Sequence, residues 1–168
     1  ATHCGISTGG DGASHQANED IAIARSFPNM TILVPGDYEE AKQATKAAAY
    51  HSGPVYLRFG RDSYPVVKEL HGAFEIGKAK RLREGTDLTI MTTGIMVSEG
   101  LSAADQLQES GVSVRVIHFP TIKPLDEGAI LEAAQQTGGI VTAEEHSIIG
   151  GLGVAVAGVV AQDHPCPV

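Results

Sequence analysis

Short apolar runs alternate along the chain with longer segments of helical periodicity. Residues 30–34 read MTILV, a β-branched run that is typical of a buried strand. Residues 37–51 have the spacing of a helix, with Asp37 as the predicted N-cap and Glu40 three residues later in a capping-box pattern. Residues 55–59 alternate between two faces, as strand residues do, and complete a strand–helix–strand unit.

The remaining segments continue this alternation. A short helix is expected to begin at Glu19 and Asp20, because acidic residues favour a helix N-terminus, and residues 62–72 are interpreted as a linker. Strands that alternate with helices predict βαβ units with right-handed crossovers, and therefore an α/β fold around parallel strands. The patterns place strands at residues 74–83, 88–93, 112–119 and 140–143, and helices at residues 98–110, 126–136 and 153–163.

Composition narrows the functional classes. The 168 residues are 42% hydrophobic and 19% charged, which is enough apolar material for a packed core. The net charge of −8 argues against nucleic acid as the main partner, while leaving room for a local basic pocket that binds a phosphate. No apolar run approaches the roughly 20 residues that span a bilayer, so no membrane partner is expected. Cys4 and Cys166 lie near opposite ends without the spacing of a zinc site or a disulfide framework, which favours a reduced, cytoplasmic setting without a signal peptide.

The first 18 residues lack apolar periodicity and are predicted to form a long loop. It gathers His3, Asp11 and His15 among several glycines, which allow the backbone to turn sharply and approach a ligand. Two imidazoles and a carboxylate can bind a polar ligand, move protons or hold a metal, but the spacing matches no common metal-ligand pattern. A solvated loop stabilised by Asx turns explains the same residues equally well.

Two arginines lie at the end of the strand at residues 55–59. Arg58 is the last but one residue of this strand, and Arg61 follows shortly after it. Ligands of open α/β sheets collect at the carboxyl ends of the strands, where a guanidinium can bind a phosphate or carboxylate through two hydrogen bonds. Pairing of these arginines with neighbouring acidic side chains is the alternative.

A second polar group precedes the last predicted helix. Glu144, Glu145 and His146 form an acid–base cluster or, as we favour, a polar loop or an interface contact. The following GGLG turn does not match a dinucleotide loop, because Val156 occupies the position of the third glycine.

The sequence resembles the transketolase family along essentially its whole length. The segment THCGISTGGDGASHQANEDIAIARSFPNMTILVPGDYEEA carries the most specific motif, DG-x-SHQ-x-x-ED, and GPVYLRFGR matches the substrate-arginine segment of the family. TDLTIMTTG, HFPTIKPLD and TAEEHSIIGGLG resemble the family's C-terminal domain. The resemblance implies the C-terminal half of a parallel-sheet pyrimidine-binding domain at residues 1–66, followed by an incomplete transketolase C-terminal domain at residues 67–168.

The resemblance also implies a reaction. Such an enzyme moves a two-carbon ketol unit from a ketose phosphate to an aldose phosphate, using thiamin diphosphate and a divalent metal, usually magnesium. Carried over to this chain, His3 contacts the substrate near its phosphate end or the cofactor intermediate, Asp11 binds the donor's C2 hydroxyl, and His15 assists proton transfer beside the aminopyrimidine. Arg58 matches the arginine that grips the substrate phosphate.

Several departures bear on completeness. Gly10 stands where the family often has glutamate, and the family's activating glutamate and its diphosphate and metal regions have no counterpart in this sequence. The chain also begins inside a functional loop and ends at a lead-in to a further strand, so we expect a fragment or one part of a split protein. We therefore expect it to be inactive alone and to act as a homodimer or with an N-terminal transketolase subunit. A related thiamin enzyme (deoxyxylulose-phosphate synthase or a 2-oxo acid dehydrogenase β subunit) and a non-catalytic assembly module are the alternatives.

Overall fold

The computed structural model describes residues 2–61 and 63–168. Among these residues, no helix is long and apolar enough to cross a bilayer. Short 3-10 turns cover Ile6–Asp11, Ala13–His15 and Lys68–Leu70. The strands are β1 (Thr2–His3), β2 (Thr31–Leu33), β3 (Val55–Phe59), β4 (Lys80–Arg83), β5 (Leu88–Thr92), β6 (Val114–His118), β7 (Thr121–Lys123) and β8 (Ile140–Ala143), and the helices are α1 (Asp20–Ser26), α2 (Tyr38–Tyr50), α3 (Met96–Glu109), α4 (Glu127–Gln136) and α5 (Leu152–Asp163).

The first sheet has the strand order β1-β3-β2-β7. β1, β3 and β2 are parallel, so their carboxyl ends meet at one edge. β7 comes from the second half of the chain and pairs antiparallel with β2, with Thr121 opposite Leu33. The sequence pattern did not reveal β7, because three residues between Pro120 and Pro124 are too few to establish a period.

The second sheet has the order β4-β6-β5-β8, with only β4 antiparallel to its neighbour. Successive residues of β5 face opposite sides: Ile90 packs with α3, whereas Met91 faces α4 and α5. A sheet covered on both faces by helices explains the nearly continuous apolar strands of this half. The predicted α/β fold with mostly parallel strands is confirmed.

The two sheets share one apolar core. α1 and β2 of the first half pack directly against the strands and helices of the second half. Because β7 also crosses from one half to the other, the predicted division at residues 66 and 67 is not visible as a gap in packing and stays a prediction. The buried residues of this core are Ile21, Ala24, Ile32, Val34, Met91, Ile117, Phe119, Ile122, Ile130, Ala133, Ala134, Ile140, Leu152, Val156 and Val160.

The segment between the two sheets is ordered rather than free. The predicted linker begins at Asp62, which lies outside the described residues, but Val67 and Leu70 within it are buried. The strand predicted at residues 74–83 is shorter than expected, because Phe74 and Ile76 pack against the first sheet instead of joining the second.

A buried cluster of charged side chains joins the halves. Asp37 caps α2 as predicted, and the carboxylate of Glu40 accepts a hydrogen bond from Gly36 N–H (2.8 Å). The same carboxylate lies 2.8 Å from His118 Nε2 and 2.8 Å from Lys80 Nζ, both of the second sheet. Burial alone would raise the pKa of Glu40, but the hydrogen bond and charge of His118, together with Lys80 and the Gly36 N–H, lower it to about 2.

We expect Glu40→Gln to lower the free energy of unfolding at pH 7 by about 3 kcal/mol, because it leaves the Lys80 ammonium without its carboxylate and weakens the buried hydrogen bond to His118. The folded protein keeps Glu40 ionised down to about pH 2, whereas the unfolded chain protonates it near pH 4.5. This contribution is therefore complete above pH 4.5 and disappears as the pH falls toward 2. Urea unfolding at pH 7 and pH 3 measures it, and the difference between wild type and variant should shrink at pH 3.

Glu39→Gln is the matched control. Glu39 lies next to it in the same helix, but its side chain is 43% exposed and pairs with Lys42 at the surface. An exposed pair of this kind contributes about 0.5 kcal/mol or less. Equal effects of the two substitutions would contradict the role given to Glu40.

Candidate functional site

The carboxyl edge of the first sheet brings the predicted site residues into one region. His3 ends β1 and lies opposite Phe59, which ends β3. Cys4 N–H donates to Phe59 O (3.0 Å), so the chain segments after both strands leave the sheet together. The loop after β1 carries Asp11 and His15, and the segment after β3 carries Arg61. This edge is the usual ligand position in open α/β sheets.

The loop at residues 5–17 is compact, although its sequence lacks periodicity. Two 3-10 turns fill most of it, and Gly5 N–H donates to Gln16 O (2.8 Å), which closes the loop at its base. Gly9 and Gly12 have positive φ values of 59° and 74°, which side chains disfavour. The glycines that marked this segment as a loop in the sequence therefore permit its turns.

Two imidazole rings stack at the open side of the loop. The rings of His3 and His15 are nearly parallel, with centroids 5.9 Å apart and 14° between their planes. Ser14 Oγ lies 2.9 Å from His15 Nδ1 and orients that ring. His3 Nε2 is buried and has no hydrogen-bond partner among the described residues. A buried ring nitrogen without a partner fits an incoming polar ligand.

Asp11 pairs with Arg61 rather than with a histidine. Arg61 Nη1 lies 2.5 Å from Asp11 Oδ2, and about half of the Arg61 side chain is exposed. A cavity of about 370 Å³ opens at the ends of β2 and β3 and is lined by Tyr38, Phe59 and Gly60, among others. Arg61 follows Gly60 in the chain, and its half-exposed side chain is a cation that solvent can reach near the carboxyl end of β3.

Arg58 has a different environment. Its side chain is only 5% exposed; Nε donates to Asp20 Oδ2 (2.8 Å) and Nη2 donates to Glu145 O (2.8 Å). Burial opposes ionisation of Asp20, but the hydrogen bond and charge of Arg58 outweigh it and hold the pKa of that carboxyl below its ordinary value. Tyr56 Oη–H also donates to Asp20 Oδ2 (2.6 Å). This network holds the Arg58 guanidinium in the interior of the protein, and the substrate contact expected from the sequence stays a prediction.

The polar group before α5 reaches the first loop. Glu145 accepts hydrogen bonds from Ser7 N–H and Ser7 Oγ–H, both 2.9 Å long. Ser147 N–H donates to Asn18 O (2.7 Å), and the His146 side chain is fully buried between them. Glu144 instead caps α5 through the Leu152 and Gly153 N–H groups, at 2.7 and 3.0 Å. Glu145 and His146 thus lie in a polar segment that packs against the first loop and α1 of the same chain.

The side chains at this edge suit an organic polar ligand better than a metal. Within residues 2–61 and 63–168, no group of three or more His, Cys, Asp or Glu side chains is arranged to hold a metal ion. The unpartnered His3 nitrogen and the accessible Arg61 guanidinium fit a ligand that carries both polar groups and an anion. They do not form a donor set for a divalent metal and its diphosphate.

Family models match both halves of the chain. Residues 1–67 match the transketolase pyrimidine binding domain, and residues 77–168 match the transketolase C-terminal domain. These matches cover the site loop and the sheet that packs behind it.

Two curated relatives agree with these models. An uncharacterized transketolase family protein of Sinorhizobium fredii is 52% identical over 152 residues, which are 89% of this chain and 44% of that protein. The 6-deoxy-6-sulfo-D-fructose transketolase subunit of a Clostridium species is 42% identical over 97% of this chain and 51% of its own length. The chain thus spans about half the length of each of these two relatives.

A solved structure extends the likeness to the fold. It is described as a split gene transketolase, an inactive β4 tetramer, and aligns with a TM-score of 0.91 at 44% identity over 99% of this chain and 54% of its own. Sequence and fold agree over both halves, and the resemblance drawn from the motifs is confirmed: the chain belongs to the transketolase family.

Proposed function

We propose that this chain is the part of a transketolase that receives sugar phosphates and helps to transfer a two-carbon ketol unit from a ketose phosphate to an aldose phosphate. The observation that carries the proposal is the stacked pair His3 and His15 at the same sheet edge as Asp11 and Arg61. Polar groups for a carbonyl and its hydroxyls thereby adjoin a cation for the phosphate, which matches the two ends of such a substrate.

The histidines act at the reacting end. His3 donates or accepts a hydrogen bond through its free Nε2 at the substrate oxygen, and the stacked His15 gives or takes a proton at the reacting carbonyl. Thiamin diphosphate, when bound, supplies the carbanion chemistry that breaks and forms the carbon–carbon bond. His15 is the residue of this chain that we propose to contact that cofactor.

Asp11 and Arg61 act at the polar chain and the phosphate. Asp11 accepts a hydrogen bond from a sugar hydroxyl next to the reacting carbonyl, and Arg61 binds the phosphate through its accessible guanidinium. We propose Arg61 in place of Arg58 for the phosphate, because Arg58 is buried and already bonded to Asp20 and Glu145. Phosphate binding would then draw Arg61 away from Asp11 and leave that carboxylate for the hydroxyl.

The remaining parts of the enzyme lie on other chain segments. We propose that an N-terminal transketolase subunit or segment binds the diphosphate and the magnesium ion and supplies the activating glutamate, and that the active unit is a homodimer or an assembly with that partner. A solved relative is described as an inactive β4 tetramer, which supports the expectation that this chain alone is inactive. A cytoplasmic location stays a prediction.

The first test is a product assay. We expect the chain, mixed with its N-terminal partner, thiamin diphosphate, magnesium, a ketose phosphate, an aldose phosphate and pyruvate, to transfer ketol units without releasing carbon dioxide. The chain without its partner should give no product. Asp11→Ala should reduce transfer by about 10- to 100-fold, because the donor loses a charge-assisted hydrogen bond.

Other outcomes of the assay separate the alternatives. Carbon dioxide from pyruvate would favour deoxyxylulose-phosphate synthase or a 2-oxo acid dehydrogenase β subunit. No product from a folded assembly would favour an assembly module, and turnover by the isolated chain would contradict the expected incompleteness.

Arg61→Met tests the phosphate contact. We expect KM for the sugar phosphate to rise about 10- to 100-fold with little change in kcat, and the thermal unfolding temperature to stay nearly constant. Arg58→Met should instead lower that temperature, because it leaves Asp20 buried without its cation. Arg81→Met, at an exposed arginine of β4, is the control for loss of a surface charge. A normal KM in Arg61→Met would contradict the assignment.

His15→Ala tests the proton transfer. We expect kcat to fall by about 100-fold or more while KM for the sugar phosphate changes little, since a general acid–base group typically contributes this much. His164→Ala, at an exposed histidine after α5, should leave both constants unchanged. A change in KM alone would place His15 in binding rather than in proton transfer.

A further inference from the structure

Glu145, from the second half of the chain, contacts the loop at residues 5–17. Its two carboxylate oxygens accept hydrogen bonds from Ser7 N–H and Ser7 Oγ–H, both 2.9 Å long. Gly5 lies directly against the same carboxylate: a Cβ at Gly5 would lie 2.4 Å from Glu145 Oε2. The first turn of the loop is therefore held by a side chain from the second half of the chain.

The next two residues hold the other end of the loop. Ser147 N–H donates to Asn18 O (2.7 Å). His146 Nδ1 lies 2.7 Å from Ser147 O, and its Nε2 accepts a hydrogen bond from Ala22 N–H (3.3 Å) in α1. Residues 145–147 thus bind the chain both before and after the segment that carries Asp11 and His15.

Arg58 connects the two contacts. Its guanidinium donates to Glu145 O and to Asp20 Oδ2, each at 2.8 Å. The Glu145 backbone is therefore fixed from the sheet while its carboxylate fixes the loop. Through these bonds the position of the loop is tied to the position of the second half of the chain.

We propose that Glu145 is a positioning residue for the reaction: it fixes the loop at residues 5–17 so that His15 stacks on His3 and Asp11 faces Arg61. This inference rests on the proposed function. The second half of the chain would then set the catalytic geometry, since displacement of a reacting group by about 1 Å costs on the order of 100-fold in rate.

The test uses the complete assembly of this chain with its N-terminal partner and measures ketol transfer, amide hydrogen exchange and thermal unfolding. In Glu145→Ala we expect kcat to fall by about 10- to 100-fold. The amides of residues 5–17 should exchange at least about tenfold faster, while those of β6 keep their wild-type rates.

Two further variants grade the effect. Glu145→Gln keeps one oxygen for Ser7 N–H and can donate its amide to Ser7 Oγ, so it should recover most of kcat and of the loop protection. Ser7→Ala removes only the hydroxyl bond and should fall between wild type and Glu145→Ala. Glu109→Ala, at an exposed glutamate ending α3, is the control and should change neither measurement.

The outcomes separate positioning from simple stability. Unchanged kcat and loop exchange in Glu145→Ala would overturn the inference, as would a lower unfolding temperature with normal kcat and normal loop exchange at a temperature where the variant is folded. Absence of ketol transfer by the wild-type assembly would contradict the proposed function instead. The exchange rates would then still decide whether Glu145 orders the loop.

Discussion

Lys80 and His118 of the second sheet both bind the carboxylate of Glu40, which belongs to the helix of the first sheet. Glu40 and His118 are fully buried, so separating the two sheets would expose an apolar core and leave charges without their partners. The relative position of the sheets is therefore strongly constrained. Every contact that the segment around Glu145 makes with the first loop depends on this constraint, because that segment follows β8 of the second sheet.

The same physics distinguishes the two arginines at the end of β3. Arg58 points toward the interior, where only a carboxylate and carbonyl oxygens can balance its charge, and it finds both in Asp20 and Glu145. Arg61 lies beyond the end of the strand, and its carboxylate partner Asp11 is itself partly exposed. Water screens that pair, so an anion can compete for Arg61 far more easily than for Arg58. The chain as a whole carries a net charge of −8, so an anion would be attracted to the local positive charge of Arg61 and not to the protein surface in general.

Local patterns predicted most of the elements but not how they meet. The helix capped by Asp37 and the strand at Val55–Phe59 follow from capping and alternation alone, and both are confirmed. β7 was missed because its pairing with β2 is a tertiary contact with no local period. The sequence marked His3, Asp11 and His15 by their setting among glycines, yet the burial of Arg58 depends on Asp20, 38 positions away. The positions of Arg58 and Arg61 along the chain could not predict which of the two side chains is buried and which is accessible to an anion.

The contacts of Glu145 show that the second half of the chain can serve both assembly and catalysis. All of the proposed ligand-binding side chains lie in the first half of the chain. This distribution alone would be expected if the second half served only in assembly. Its Glu145 nevertheless binds Ser7 within the loop that carries Asp11 and His15. A loop rich in glycine has much conformational entropy to lose, and contacts with a fixed neighbour restrict it. Packing that holds the two halves together therefore also orders the loop, so the two roles are consequences of the same interface.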